Sequence, residues 1–95
     1  MMPHYNKTLM KKTIIIGVSS GIGRELAKIL SMNGYIVGVM ARRVKLLDEL
    51  RNEVKGTLFV QKIDVSDIES AMEILTKLIE EMGGVDLIVI SAGTG

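Results

Sequence analysis

Thr-Ile-Ile-Ile-Gly-Val-Ser-Ser-Gly-Ile-Gly, residues 13–23, is the segment on which the fold of this chain depends. Its β-branched run at 14–16 has no polar face, which predicts a strand covered on both sides, as in the middle of a parallel sheet. The glycines that follow, Gly17, Gly21 and Gly23, allow a sharp turn and leave room beside the backbone for a bulky anion. A helix is predicted next, and the free N–H groups at its start can donate to an anion. The loop is therefore predicted to bind a pyrophosphate group.

The composition limits the kinds of protein that this chain can be. Its 95 residues, 47% of them apolar and 24% charged, are those of one small globular domain. A net charge of +1 and an aromatic content of 3% give no support for a nucleic-acid partner. The lack of cysteine excludes a disulfide framework and a thiolate metal site. Without an apolar run of membrane length or a signal-peptide pattern, we expect no membrane partner and a cytoplasmic location.

Apolar runs alternate along the chain with segments of helical periodicity. The predicted strands cover residues 14–16, 35–41, 57–63 and 85–91, and the predicted helices run from the glycine loop to Gly34, from Val44 to Gly56 and from Ser66 to Gly83. Right-handed crossovers then give a doubly wound, Rossmann-like parallel α/β sheet with the strand order 3-2-1-4. Residues 11–95 are the predicted domain, and residues 1–10, which show no period, are predicted to be a flexible leader.

The sequence also predicts where helices end and which faces they bury. Ser66-Asp67-Ile68-Glu69 has the form of a capping box with Ser66 at the cap. Gly34 stands where a left-handed C-cap is expected. The stripes predicted to share one face of each helix consist of Ile22, Leu26, Ile29, Leu30 and Asn33 in the first helix and of Ile68, Ala71, Met72, Leu75, Leu78, Ile79 and Met82 in the third.

Unusual residues follow all four predicted strands. The glycine loop follows the first strand, Arg42 and Arg43 the second, Asp64 the third, and a short segment ending in Gly93 the fourth. Ligands of open α/β sheets bind outside the carboxyl ends of the strands where the strand order reverses, here between the first and fourth strands. The four strand ends therefore predict one shared ligand site.

The glycine spacing Gly-x-x-x-Gly-x-Gly resembles the cofactor loop of the short-chain dehydrogenase/reductase family, whose pattern is Thr-Gly-x-x-x-Gly-Ile-Gly. Ile16 stands where the family has threonine, so a hydrogen bond made by that hydroxyl is missing here. The resemblance covers roughly residues 12–95 but only the first half of the family's fold. It implies that the dinucleotide is bound by Gly17, Ser19, Ser20, Gly21, Ile22 and Gly23.

The second strand end predicts which dinucleotide is bound. An NAD site generally has a carboxylate there, whereas this chain has Ala41, Arg42 and Arg43. A guanidinium offers a planar fork of donors to a 2′-phosphate, so Arg42 and Arg43 predict NADP (NADPH). The alternative is a solvated pair of arginines at a helix start, which the helix dipole disfavours unless an anion binds.

Asp64-Val65 and Ser91-Ala92-Gly93 complete the predicted site through the same resemblance. In the family, an Asp-Val pair after the third strand contacts the adenine, and Asn-Asn-Ala-Gly after the fourth lies near the ribose. Ile90 and Ser91 replace both asparagines here, so their side-chain bonds are absent. Asp64 has an alternative role as a turn residue or as part of a helix cap.

The family's catalytic serine and Tyr-x-x-x-Lys pair have no counterpart in this sequence. Neither Tyr5 nor Tyr35 has a lysine four residues later, and His4 is expected to be a solvated leader residue. The resemblance implies hydride transfer between nicotinamide and a carbonyl or alcohol, and we expect this chain to bind the cofactor without catalysing. The alternative is a non-catalytic nucleotide-binding or self-assembling module. A homo-oligomer formed through the exposed edge of the fourth strand is expected in either case.

Overall fold

The computed structural model describes residues 11–17, 21–54, 56–64 and 66–90, and the predicted leader lies outside them. The order of elements is the predicted one. It runs β1 (Lys12–Ile16), α1 (Gly21–Met32), β2 (Ile36–Ala41), α2 (Val44–Glu53), β3 (Leu58–Lys62), α3 (Ile68–Met82) and β4 (Leu87–Ile90). Every strand is shorter at one or both ends than the sequence predicts, except β1, which begins two residues earlier.

The four strands form a single parallel sheet in the order β3-β2-β1-β4, which confirms the predicted fold class. Ile15 lies opposite Val39 of β2 and Val89 of β4, so β1 has a neighbour on both edges. Ile14 and Ile15 are completely buried, which confirms that β1 is covered on both faces. Full burial of such a side chain stabilises a fold by about 1.5–3 kcal/mol.

Each face of the sheet packs against its own helices. Ile15, Val37 and Val39 point to the face covered by α1 and α2, where they meet Ala27 and Leu50. On the opposite face α3 packs on the sheet, and the buried residues there are Ile14, Met40, Ile63, Leu78 and Met82. This division follows from strand geometry, since successive residues of a strand point to opposite faces.

The helix ends confirm one prediction and correct another. Gly34 and Gly83 both have a positive φ, 87° and 81°, and close α1 and α3 as left-handed caps. The capping box at Ser66 is wrong, because α3 begins later, at Ile68. Asp67 is the N-cap, and its Oδ1 accepts a hydrogen bond of 3.2 Å from the N–H of Ser70. Two capping residues stand side by side in the sequence, and the structure uses the second.

Three apolar residues of the predicted stripes are exposed instead of buried. Ile29, Ile68 and Met72 have exposed fractions of 51%, 71% and 56%. Ile29 lies two residues from the buried Ala27, and this spacing places it on the far side of α1. Ile68 and Met72 lie in the first two turns of α3, whose fully buried residues are Leu78 and Met82 near its other end.

The starts of β1 and β4 are joined at the amino edge of the sheet. Lys12 donates its N–H to Oδ2 of Asp86 at 2.8 Å, and Asp86 donates its N–H to the carbonyl of Lys12 at 2.8 Å. β4 nevertheless has only β1 as a strand neighbour in the described sheet. In the described part of the chain, none of the helices has the length and apolarity that crossing a membrane requires.

Candidate functional site at the carboxyl edge of the sheet

Backbone hydrogen bonds hold the ends of β1, β2 and β3 side by side. Gly17 donates its N–H to the carbonyl of Met40 at 2.7 Å, and Ile63 donates its N–H to the carbonyl of Ala41 at 2.9 Å. Gly17, Arg42 and Asp64 each lie within one residue of these bonds. The structure therefore brings together three of the predicted strand-end residues at one edge.

The glycine loop begins with a residue that only glycine adopts at little cost. Gly17 has φ 89°, in the left-handed region that side chains with a Cβ disfavour. The chain re-enters described structure at Gly21, which is the first residue of α1, and Gly23 is buried in its first turn. Ser19, Ser20 and the side chain of Ile22 lie outside the described part, so their predicted roles stay predictions.

Arg42 and Arg43 lie exposed between the end of β2 and the start of α2. Arg43 is the N-cap of α2 but makes no side-chain capping bond, and the first turn of α2 contains no acidic residue. Within the described residues neither arginine forms an ion pair. Two unpaired cations at the positive end of a helix dipole are the charge arrangement that a phosphate group would stabilise.

Asp64 follows β3 and is exposed. Its Oδ1 accepts two hydrogen bonds from Ser66, one from the N–H at 3.0 Å and one from the hydroxyl at 2.7 Å. These bonds lower the pKa of Asp64, and the positive charges of Arg42 and Lys62 lower it further. The carboxylate thus forms a turn, as the alternative interpretation expected, and stays ionised; Val65 lies outside the described residues.

Ser66 is the member of this edge that the sequence analysis did not include in the site. The signal was available, because an aspartate followed two residues later by a hydrogen-bond donor is the pattern of an Asx turn. The capping-box interpretation assigned the serine hydroxyl to α3 instead. In the structure that hydroxyl donates to Asp64 and Asp67 caps the helix.

The residues after β4 and the tyrosine before β2 remain to be placed. Ile90, the last residue of β4, lies opposite Ile16 of β1 at this edge and is 68% exposed. Ser91, Ala92 and Gly93 lie outside the described residues, so their predicted contact with the ribose stays a prediction. Tyr35 precedes β2, at the amino edge of the sheet, and so lies away from Gly17 and Asp64.

No group of three or more histidine, aspartate or glutamate residues able to hold a metal ion occurs among the described residues.

Comparison with known proteins identifies the family. The model of the short chain dehydrogenase family matches residues 11–95, which is most of the chain. The chain belongs to the short-chain dehydrogenase family. Its relatives in that family include an uncharacterised oxidoreductase from Mycobacterium tuberculosis, with 32% identity over 90 residues, and one from Myxococcus xanthus, with 35% identity over 88 residues.

A solved structure shows the same similarity in three dimensions. A metagenomic short-chain oxidoreductase in complex with NADP superposes with a TM-score of 0.81 at 27% identity. The match covers 90% of this chain and 40% of that one. The matches to the Mycobacterium tuberculosis and Myxococcus xanthus relatives each span 90% of this chain. They span only 36% of the first relative and 35% of the second. This short-chain dehydrogenase chain therefore spans about a third of the length of its relatives.

Proposed function

We propose that this chain forms the NADP-binding part of a short-chain dehydrogenase/reductase that moves hydride between nicotinamide and a carbonyl or alcohol. The observation that carries the proposal is the placement of Arg42 directly after β2. The bond from the Gly17 N–H to the Met40 carbonyl, 2.7 Å long, fixes this strand end next to the glycine loop. A pyrophosphate at the loop and a 2′-phosphate at the arginines would then lie on one edge, as one dinucleotide requires.

The described residues fit such a ligand in shape and in charge. Gly17 has no side chain to obstruct an anion, and α1 begins four residues later with no acidic side chain in its first turn. Arg42 and Arg43 supply donors for phosphate oxygens, and no carboxylate follows β2 that would bind the ribose hydroxyls of NAD instead. The neighbour in complex with NADP has this fold.

This chain would bind and orient the cofactor, and the bound nicotinamide would supply the hydride chemistry. The glycine loop would hold the pyrophosphate, Arg42 and Arg43 the 2′-phosphate, and Asp64 and Val65 the adenine. Ser91, Ala92 and Gly93 would let the backbone approach the ribose. A tyrosine acid–base partner is not supplied by Tyr35, since this residue lies at the opposite edge of the sheet.

The 95-residue chain is therefore proposed to bind the cofactor without catalysing the reaction. A cytoplasmic location is part of the proposal. The alternative is a non-catalytic nucleotide-binding or self-assembling module, and its self-assembling form would pair through the exposed apolar residues of β4 without needing a nucleotide. Titration with nucleotides separates the proposal from that self-assembling form, because only the proposal requires binding.

Isothermal titration of the purified chain with NADPH and NADH tests the proposal. We expect NADPH to bind more tightly, and Arg42→Ala to remove that preference. Loss of a charge-assisted phosphate contact costs about 1.5–3 kcal/mol, or roughly tenfold or more in affinity. Arg51→Ala is the matched control, since Arg51 is an exposed arginine in the last turn of α2, remote from the strand ends. Equal affinity of the unmutated chain for both nucleotides would overturn the NADP assignment.

A further inference from the structure

Asn33 and Gly34 lie in the turn that joins α1 to β2. Both residues are exposed, and a Cβ at Gly34 would meet no described atom within 4 Å beyond the adjoining residues. The turn is at the amino edge of the sheet, opposite the edge that carries Gly17 and Arg42. It is therefore open to water and is held by hydrogen bonds more than by burial.

Hydrogen bonds occupy the two groups of this pair that can react with each other. Nδ2 of Asn33 donates to the carbonyl of Ile29, one turn earlier in α1, at 2.7 Å. The N–H of Gly34 donates to the carbonyl of Ser31 at 3.1 Å. The first bond directs the side-chain amide back along α1, away from the nitrogen of Gly34. While both bonds hold, that nitrogen is kept from Cγ of Asn33.

An asparagine followed by a glycine can cyclise, because glycine has no side chain to obstruct the approach. The nitrogen of Gly34 bonds to Cγ of Asn33, the bond from Cγ to Nδ2 breaks, and the displaced proton leaves with Nδ2 as ammonia. Water then opens the cyclic imide at either carbonyl. One opening gives aspartate, and the other gives isoaspartate, whose backbone runs through the side-chain carbon. Water is the only co-reactant that the reaction consumes.

We infer that Asn33 is a site of spontaneous conversion to aspartate and isoaspartate, and that opening of the α1 cap controls its rate. Such a cap is among the parts of a fold that open most easily, because its hydrogen bonds are exposed and Asn33 and Gly34 bury no apolar side chain. Tyr35 is partly buried against the core that contains Ile15 and Leu50, so the opening is confined to the turn. The inference is independent of the proposed function.

Conversion would weaken the end of α1. A carboxylate at position 33 cannot donate to the carbonyl of Ile29, and a negative charge is unfavourable at the carboxyl end of a helix. Asn33→Asp reproduces one product, and its thermal midpoint should lie about 2–8 °C below that of the unmutated chain. An unchanged midpoint would mean that the side-chain bond of Asn33 adds no stability to the cap, which would overturn the cap as the control of the rate.

Peptide mapping by mass spectrometry, after incubation of the purified chain at mildly alkaline pH, tests the site. Asn33 should convert faster than Asn52, whose successor Glu53 has a side chain that hinders the attack. Labelling by isoaspartyl methyltransferase should then identify isoaspartate in the same peptide. Asn33→Gln, whose longer side chain cyclises far more slowly, is the control and should show no conversion there. If Asn33 converted no faster than Asn52, the site would be wrong.

Comparison with the chain unfolded in guanidinium chloride tests the control by the cap. Conversion of Asn33 should be about 5- to 30-fold slower in the folded chain, as expected for the opening of a single exposed turn. Urea below the unfolding transition should leave this rate nearly unchanged, because the opening exposes little surface. Equal rates in the folded and unfolded chains would overturn the role of the cap. So would a rate that rises in low urea in step with global unfolding.

Discussion

Arg24, in the first turn of α1, forms an ion pair with Glu53, the last residue of α2. The same guanidinium contacts Glu49, with 3.2 Å between Nη1 and Oε1, and Lys28 contacts Glu53, with 3.3 Å between Nζ and Oε1. These contacts tie the helix that follows the glycine loop to the helix that follows the arginine pair. The polar cluster thus connects the two elements that carry the proposed phosphate contacts.

The cluster predicts how stability depends on pH. The hydrogen bond from Arg24 lowers the pKa of Glu53. A carboxylate with a lowered folded-state pKa stabilises the fold above its unfolded-state pKa, and this stabilisation is lost as the pH falls through the folded-state value. We therefore expect the urea midpoint to fall between about pH 6 and about pH 3, and to fall less in Arg24→Ala.

Two controls belong to this experiment. Arg51→Ala removes an equal charge from an arginine that makes no ion pair in the described structure, so it should keep the pH dependence of the unmutated chain. High salt should reduce the difference between Arg24→Ala and the unmutated chain, because the contributing side chains are partly exposed. If the urea midpoint fell with pH by the same amount in Arg24→Ala as in the unmutated chain, the prediction would be contradicted.

The corrected start of α3 gives a second prediction. Asp67→Ala removes the carboxylate that accepts from the N–H of Ser70 at 3.2 Å, so the folded state should lose about 1 kcal/mol. For a domain of this size the thermal midpoint should fall by about 4–8 °C. Ser66→Ala, which leaves this cap intact, should change the midpoint much less. Circular dichroism melts of the two variants decide, and a larger loss in Ser66→Ala would restore the capping-box interpretation.

The fold could be predicted from the sequence because each strand and helix is indicated by a pattern within its own short segment. Unbroken apolar runs such as 14–16 identify buried strands, and the handedness of crossovers then leaves few strand orders. Periodicity was less informative about Ile68 and Met72. It reports which face of a helix is apolar, whereas burial depends on how far the partner surface extends, and that is a property of the assembled fold.

The site was predictable in its position and less so in its contacts. The strand ends that carry Gly17, Arg42 and Asp64 follow from topology alone. The bond between Ser66 and Asp64 could not be assigned, because a serine beside an aspartate can serve either a turn or a helix start. The distinction depends on the backbone at Asp67, whose φ of −109° and ψ of 87° place it outside the helix.

Gly38 gives a third prediction, about the packing of α3 on the sheet. A Cβ at this position would lie 2.7 Å from Sδ of Met82, 3.2 Å from Cδ2 of Leu78 and 3.3 Å from Cγ1 of Ile14. Gly38→Ala should therefore destabilise the fold by about 1–3 kcal/mol through overpacking. Urea unfolding of Gly38→Ala, Met82→Ala and the double variant gives three free energies of unfolding. Together with that of the unmutated chain, they measure the coupling energy between positions 38 and 82.

The double variant makes this prediction specific to the contact. Met82→Ala alone leaves a cavity, and the methyl group of Gly38→Ala should occupy part of it. We expect the loss of stability in the double variant to be smaller than the sum of the two single losses by about 0.5–3 kcal/mol. Additive losses would show that the cost at Gly38 does not come from contact with Met82 and arises instead at Leu78, at Ile14 or in the backbone.

The last prediction concerns the free edge of β4. Leu87, Ile88 and Ile90 are 53%, 39% and 68% exposed, and β4 pairs only with β1 in the described sheet. An edge strand with apolar residues on both faces is a template for pairing with another strand. We therefore expect the 95-residue chain to self-associate through this edge, with a symmetric dimer as the simplest form.

Sedimentation equilibrium at low micromolar concentration measures this association, and a well-behaved 10.4 kDa monomer would contradict it. Ile90→Lys places a charge on the edge strand, where it hinders strand pairing, at a position exposed enough to spare the fold. This variant should be monomeric. Met32→Lys is the matched control, because Met32 is 84% exposed at the end of α1, and it should associate like the unmutated chain. Equal association of both variants would place the contact away from β4.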